Sequence, residues 1–348
     1  FATEPRCVPP VVDVYFDALE QRPPPIDRDL SLPSVRRPFL SDLTLMSGPL
    51  IADVKRGALD DGPGIRSVVF FKGCPLRCLF CQNPETQSTR AEVQRRPDSC
   101  TRCGVCLGAC PSGAARPGAE PEDQARCRAC GACVEACPAG ARRLVGERMG
   151  EDELYDLLMR DLPFSRRSGG GVTLSGGEPA LHPRFAGALA ARLRDAGVQV
   201  LLETAGCFGW KAFSEQLLPN LDAVYFDVKL LDPGRHKAAI GVGNRRILEN
   251  LERLSAAARA GAPSLLVRVP LAPGITDDPD NLAAIARHVR GLGLGSLALL
   301  PYNPLWLPKR RGLAKGEAGL AFKEERFMSE SEVEACREVV RREGVSVT

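Results

Sequence analysis

At 348 residues, with 44% hydrophobic and 26% charged side chains, the chain has the make-up of a globular protein of one large domain or two smaller ones. A formal net charge of +3 is too small to argue for a nucleic-acid or membrane partner, and no apolar run approaches the ~20 residues that span a bilayer. No basic start followed by an apolar stretch marks a secretion signal, so the expected compartment is a reducing cytoplasm.

Residues 1–47 are a Pro-rich N-terminal extension with Pro5, Pro9, Pro10, Pro23, Pro24, Pro25, Pro33 and Pro38. Proline fixes φ and lacks an amide donor, so this segment makes no long helix or central strand. It holds at most one short helix, over "VVDVYFDALE". An arm packed on the surface is the plain reading, and a docking arm for a partner is the alternative.

From Ile51 the rhythm changes. "SVVFF" at 67–71 is a buried-strand pattern, and further apolar strands are expected at 172–175, 198–203, 223–227, 264–269 and 296–301. Helical patterns lie at 183–195, 211–218, 245–260, 279–290 and 330–342. Continuous apolar strands alternating with helices imply an α/β fold with a parallel sheet covered on both faces. Six β/α units fall short of the eight of a closed barrel. The expectation is an open partial (β/α)6 barrel over 48–90 and 146–348, with its site at the carboxyl ends of the strands. A flat doubly wound sheet is the alternative.

Cysteine is the outlier, with 14 in the chain and 11 in three tight clusters. In a long chain without a secretion signal such clusters read as metal sites. Cys7, Cys207 and Cys336 are left over and read as ordinary packed thiols. "CTRCGVCLGACP" (100–111) and "CRACGACVEACP" (127–138) share the spacing C-x2-C-x2-C-x3-C-P. That doubled pattern is the two-cluster ferredoxin signature, in which the fourth cysteine of each motif crosses to the other cluster. One [4Fe-4S] cluster is therefore expected on Cys100, Cys103, Cys106 and Cys137, and another on Cys127, Cys130, Cys133 and Cys110. They would sit in an inserted ferredoxin-like domain, 91–145, between the first barrel strand and the second.

"FKGCPLRCLFCQNPETQ" (71–87) places Cys74, Cys78 and Cys81 just after the first strand. The repeat uses its own eight cysteines, so a four-iron cluster here would keep one iron open, as a catalytic metal requires. A three-iron cluster, or zinc completed by a distant residue, is the alternative on spacing alone. "LSGGEP" (174–179) follows the second strand, and its Gly176 and Gly177 let backbone approach a ligand closely. His182, His236 and His288 form no cluster and read as packing or capping residues.

C-x3-C-x-Phe-C at the end of a first strand, with Phe80 as the aromatic, resembles the radical S-adenosylmethionine (SAM) superfamily. The stretches "DDGPGIRSVVFFKGCPLRC" (60–78), "LETAG" (202–206), "FDVKLLD" (226–232), "HKAAIGVGNRRILENL" (236–251), "VRVPLAPGITDD" (267–278) and "LPYN" (300–303) narrow the likeness to glycyl-radical enzyme activating enzymes. The resemblance covers Ile51 to the C-terminus.

It implies reductive cleavage of SAM at the Cys74, Cys78 and Cys81 cluster. The 5′-deoxyadenosyl radical then takes a hydrogen from a glycine of a partner glycyl-radical enzyme. It implies three [4Fe-4S] clusters, a flavodoxin or ferredoxin-type reductant, and no nucleic-acid or membrane partner. Gly176, Gly177 and Glu178 would meet the amino group of SAM, with Glu178 supplying a carboxylate. Lys229 and Arg268 would contact its polar groups, and Glu203 and Asp227 would hold a monovalent cation beside it. The family's "LPYH" is "LPYN" here, which puts a proton-transfer role at Asn303 in doubt, since an amide does not titrate. Two rivals share these residues: a radical SAM enzyme acting on a small molecule or peptide, and a non-catalytic iron–sulfur electron carrier.

Overall fold

The computed structural model describes residues 48–116, 123, 125–261, 263–313, 316 and 320–348; the Pro-rich extension at 1–47 lies outside them. The strands are β1 (Leu50–Ala58), β2 (Arg66–Phe71), β3 (Glu92–Arg95), β4 (Arg142–Val145), β5 (Glu147–Arg148), β6 (Gly171–Gly176), β7 (Gln199–Thr204), β8 (Ala223–Asp227), β9 (Ser264–Pro270), β10 (Ser296–Leu300) and β11 (Ser346–Val347). Nine of the described strands form one sheet in the order β11-β10-β9-β8-β7-β6-β2-β1-β5. From β2 to β11 every pairing is parallel, and β1 and β5 join antiparallel at one edge.

The six expected strands are all present as β2, β6, β7, β8, β9 and β10. After β2 they add in chain order without reversal. A doubly wound sheet reverses its strand order at a switch point, so that alternative falls. Right-handed crossovers then put the connecting helices on one face.

β1 escaped the sequence reading for a physical reason. Asp53, Lys55 and Arg56 interrupt its apolar pattern, and its pairing with β2 is irregular between Ile51 and Asp53 and between Lys55 and Ala58. A bulged strand loses strict two-residue alternation. The helix expected at 211–218 is a single α turn, Trp210–Ala212, followed by a π-helical turn, Phe213–Leu217. Pro219 has no amide to continue the ladder.

The longer helices start where the sequence caps them. Asp232 accepts from the Arg235 amide ahead of Pro233–Ile240, and Asp278 accepts from the Asp280 amide ahead of Pro279–Gly291. Each has proline in its first turn, where the missing amide costs nothing. Ser329 and Glu332 form a reciprocal capping box at Glu330–Arg342.

The two-residue strand period divides the sheet. Val69, Leu174, Leu202, Val224, Phe226 and Val267 share one face and are fully buried with the helices. Each such side chain contributes roughly 1.5–3 kcal/mol of burial. The opposite face carries Ser175, Glu203, Asp227 and Arg268 near the carboxyl ends of their strands, with Asp227 opposite Arg268.

Between β2 and β6 the chain leaves the sheet. β3 and β4 pair antiparallel, Glu92 opposite Val145 through Arg95 opposite Arg142, and close the base of this excursion. Glu92 and Gln94 reach back toward the large sheet: Lys72 Nζ donates to Glu92 (2.7 Å), and Gln94 Nε2 donates to the Lys309 carbonyl (3.0 Å). Val93 and Arg95 alternate to the other side, toward the cysteine repeat.

Candidate active site

A cavity of about 400 Å³ opens at the carboxyl ends of the parallel strands. Cys74, Cys78 and Cys81 line it together with Gly176, Gly177, Glu203, Asp227, Lys229, Arg268 and Asn303. Residues far apart in the chain therefore meet at one place.

The cysteine loop is held by backbone. Gly73, at φ +105°, donates to the Thr86 carbonyl (2.7 Å), and its own carbonyl accepts from the Glu178 amide (2.9 Å). Arg77 and Leu79 donate to the carbonyls of Ile240 and Ala239 (2.8 and 3.0 Å). The glycines of "LSGGEP" serve this contact. A Cβ on Gly176 would lie 2.4 Å from the Phe71 amide nitrogen, and one on Gly177 would lie 2.1 Å from the Gly73 carbonyl oxygen. The close approach that requires glycine is thus to the cysteine loop itself, while both residues still border the cavity.

Burial pushes the thiols of Cys74, Cys78 and Cys81 up, Cys78 to about 12, with Lys229 the chief opposing influence on Cys78. A bound metal takes thiolates and displaces these protons.

The polar wall is a closed charge network. Arg268 donates through Nη1 to Glu203 (2.5 Å) and through Nε to Asp227 (2.9 Å), and it lies over the Tyr225 ring at 5.2 Å. Lys229 Nζ donates to Asp227 (3.3 Å), and Ser175 Oγ donates to Glu203 (2.7 Å). Burial raises both acids, but Arg268 and Lys229 together reverse this at Asp227, which is held below the usual carboxylate range. Among the described residues Glu203 has Arg268 as its one cationic partner, and burial leaves it raised. Arg268 is itself raised, because the two carboxylates outweigh its burial.

Glu203 and Asp227 stand side by side, and in this structure Arg268 and Lys229 pair with them. Glu178 is not among the residues lining the cavity and is fully buried. Its oxygens accept from Thr204 Oγ1 (2.9 and 2.8 Å) and from the amides of Ala180 and Ala205 (3.2 Å each). Burial pushes its carboxyl up to about 7 against those donors. Glu178 therefore braces the loop after β6 against the loop after β7.

The repeat forms two hollows. Cys100, Cys103, Cys106 and Cys137 line one; Cys127, Cys130, Cys133 and Cys110 line the other. The fourth cysteine of each motif thus lies with the first three of the other. The halves also match in backbone: Arg102 and Ala129 (φ 56° and 49°) and Gly104 and Gly131 (φ 78° and 84°) all have positive φ. Cys110 Sγ accepts from the Ala114 amide (3.2 Å). Its thiol is lowered to about 7, since Ser112 and the amides of residues 112, 114 and 115 outweigh burial. Four cysteines in each hollow are a donor set of the kind that holds an iron–sulfur cluster.

Comparison with known proteins agrees with this geometry. A 4Fe-4S dicluster domain family matches residues 92–138, and a 4Fe-4S single cluster domain family matches residues 60–108. The benzylsuccinate synthase activating enzyme of Thauera aromatica is 42% identical over 252 residues, covering 70% of this chain and 75% of that protein. The chain belongs to the glycyl-radical enzyme activating enzymes. The isethionate sulfite-lyase activating enzyme of Nitratidesulfovibrio vulgaris is 40% identical, covering 74% of this chain and 85% of that one. The pyruvate formate-lyase 2-activating enzyme of Escherichia coli is 35% identical and covers 86% of this chain and 91% of its own. This activating enzyme is accordingly a member of the radical SAM superfamily, and no helix among its described residues is long and apolar enough to cross a membrane.

Several residues of the activating enzyme were not singled out from its sequence. Ser175 and Thr204 anchor Glu203 and Glu178. Asp60 and Asp61 border the cavity, and buried Arg66 ties their loop to β6 through Thr173 Oγ1 (2.7 Å) and the Val172 carbonyl (2.8 Å). Lys309 donates to the Gln82 carbonyl (3.0 Å) and Asn83 Oδ1 (2.9 Å) beside Cys81. Only long-range geometry marks it. Asn303 has a local role: its Oδ1 accepts from the Leu305 amide and its carbonyl accepts from Gln82. Phe80 packs edge-on against Phe322, and His236 Nδ1 bonds the Val242 carbonyl at 2.7 Å. His182 stacks on Phe71.

Proposed function

We propose that the activating enzyme works with three [4Fe-4S] clusters. One is on Cys74, Cys78 and Cys81, one on Cys100, Cys103, Cys106 and Cys137, and one on Cys127, Cys130, Cys133 and Cys110. Cys74, Cys78 and Cys81 would hold the first cluster, which would supply the one-electron reducing chemistry for SAM cleavage. The observation that carries this reading is the convergence of the three-cysteine loop with the Ser175, Glu203, Asp227, Lys229 and Arg268 network on one cavity. The six parallel β/α units curve into an open partial barrel over 48–90 and 146–348, with 91–145 as the inserted ferredoxin-like domain. Its side gap admits the glycine loop of the partner.

The protein's own residues do the positioning. Lys229 and Arg268 hold fixed positive charge toward the carboxylate and ribose of SAM, and their acidic partners hold them in place. Backbone at Gly176 and Gly177 borders the amino group. Leu76, Phe80 and Tyr302 add apolar surface that excludes water from the radical. A flavodoxin or ferredoxin-type protein supplies electrons in the cytoplasm.

The test mixes iron-loaded enzyme, SAM, a low-potential reductant and a candidate glycyl-radical enzyme without oxygen, and records the electron paramagnetic resonance spectrum. A doublet is expected that disappears when the partner's glycine becomes alanine. Vigorous SAM turnover with no radical on any such partner would overturn the reading.

A further inference from the structure

The cysteine repeat contains its own control. Its halves are offset by 27 residues and match in cysteine spacing and backbone conformation, so each offers the same cluster chemistry. Their surfaces differ. The hollow of Cys100, Cys103, Cys106 and Cys137 is lined by four arginines, Arg95, Arg96, Arg102 and Arg142, and the other hollow by one, Arg128. Arg96 and Arg102 are exposed, and among the described residues neither side chain has a partner. Their counterparts in the second half are Asp123 and Ala129. Beside exposed Cys103, Val105 and Leu107 are 47% and 41% exposed, where the second half has the smaller, partly buried Ala132 and Val134. The second half does carry exposed Arg126 and Arg128, together with exposed Glu135 and the Arg116–Asp123 ion pair (3.4 Å).

We propose that the collar of Arg96, Arg102, Val105 and Leu107 is the electron-entry port of the enzyme and docks an acidic, low-potential one-electron carrier protein. This rests on the reading that the two hollows hold clusters. Apolar residues next to a near-surface metal edge allow dry, close contact, and a rim of one sign steers a partner of the opposite sign. A collar of four side chains suits a weak redox encounter rather than a permanent complex. Four guanidinium groups also favour the more negative, reduced form of whatever occupies this hollow. The step balances simply: the reduced carrier loses one electron, the inserted domain gains one, and no proton moves.

The test uses full-length, iron-loaded enzyme and an acidic flavodoxin photoreduced to its hydroquinone. Iron content is measured first, and an enzyme with iron for the Cys74, Cys78 and Cys81 cluster alone would refute the cluster reading itself. With all clusters present, Arg96→Glu/Arg102→Glu should lower the second-order rate of cluster reduction by about tenfold or more at low salt. The deficit should shrink as salt rises past ~0.15 M. Calorimetric affinity for oxidised flavodoxin should fall with it. Reduction by photoreduced deazariboflavin, a neutral small molecule, should be unchanged. Arg128→Glu should leave the flavodoxin rate within about twofold. Equal rates for wild type and double variant, or an equal loss in Arg128→Glu, would overturn the proposal. So would weakened binding of the glycyl-radical partner with the flavodoxin rate intact, since the collar would then belong to that partner.

Discussion

Arg268→Ala removes the centre of the polar wall. Its guanidinium is almost wholly enclosed, with the side chain 11% exposed, and it pairs with Glu203 and Asp227, themselves 13% and 19% exposed. Truncation leaves Asp227 with Lys229 at 3.3 Å and leaves Glu203 with only the Ser175 hydroxyl. Uncovering one partner of a buried ion pair typically costs about 3–5 kcal/mol. The cost here should fall mostly on Glu203, which burial already holds above its usual range. The double variant Arg268→Ala/Glu203→Gln removes the stranded charge and should recover roughly half of the loss, about 1.5–2.5 kcal/mol. SAM affinity should behave differently. Loss of a charged donor should weaken it by one to two decades, or about 1.5–3 kcal/mol, in both variants. The assay pairs anaerobic urea unfolding of iron-loaded protein with SAM titration. Wild-type stability in Arg268→Ala would refute the network as a structural element. Recovery of SAM affinity in the double variant would show that Arg268 acts only by neutralising Glu203.

Three further outcomes are expected. Reconstituted enzyme should bind about 12 iron atoms, and changing Cys74, Cys78 and Cys81 together to alanine should leave about 8 and abolish SAM cleavage; loss of all iron would mean that the sites are interdependent. Cys137→Ala should perturb the same spectroscopic component as Cys100→Ala, and Cys110→Ala the same one as Cys127→Ala; pairing within each motif instead would refute the crossed ligand sets. Glu178 has a folded pKa of about 7, above its unfolded value, so it favours folding below its unfolded pKa and loses that effect as pH rises through about 7. Stability should fall by up to about 3 kcal/mol between pH 5 and 8, and Glu178→Gln, measured by urea unfolding, should flatten that slope.

Much of the fold was legible because its signals are local. Each of the six apolar strands buries residues in the core, so propensity and burial agree in each. The cysteine repeat was readable for a similar reason, since ligand spacing within each motif is set by one short turn. For Glu178, a motif gives the order of residues and not the direction of a side chain. Here Thr204, twenty-six positions away, draws the carboxylate inward. Lys309 was invisible because its partners, Gln82 and Asn83, lie more than two hundred residues earlier. Glu203 and Asp227 could be seen to end neighbouring strands, yet their pairing with Arg268 depends on strand register across three neighbours, which spacing does not encode.

The same long-range contacts join the β3–β4 pair to the Cys74–Cys81 loop. Lys72 stands one residue before Gly73, is fully buried, and donates both to the Glu85 carbonyl (2.8 Å) and to Glu92 of β3. Lys309 grips Gln82 and Asn83, and its carbonyl accepts from Gln94 of β3. The Arg95 amide donates to the Gly312 carbonyl (2.8 Å). Alternate residues of β3 therefore face two ways: Glu92 and Gln94 fix the loop that carries Cys81, while Val93 and Arg95 border the two hollows. A four-residue strand thus separates the repeat from the cavity and bonds rigidly to both. On the proposed reading, such an arrangement would hold the repeat and the cavity at a fixed separation, as electron transfer between them would require.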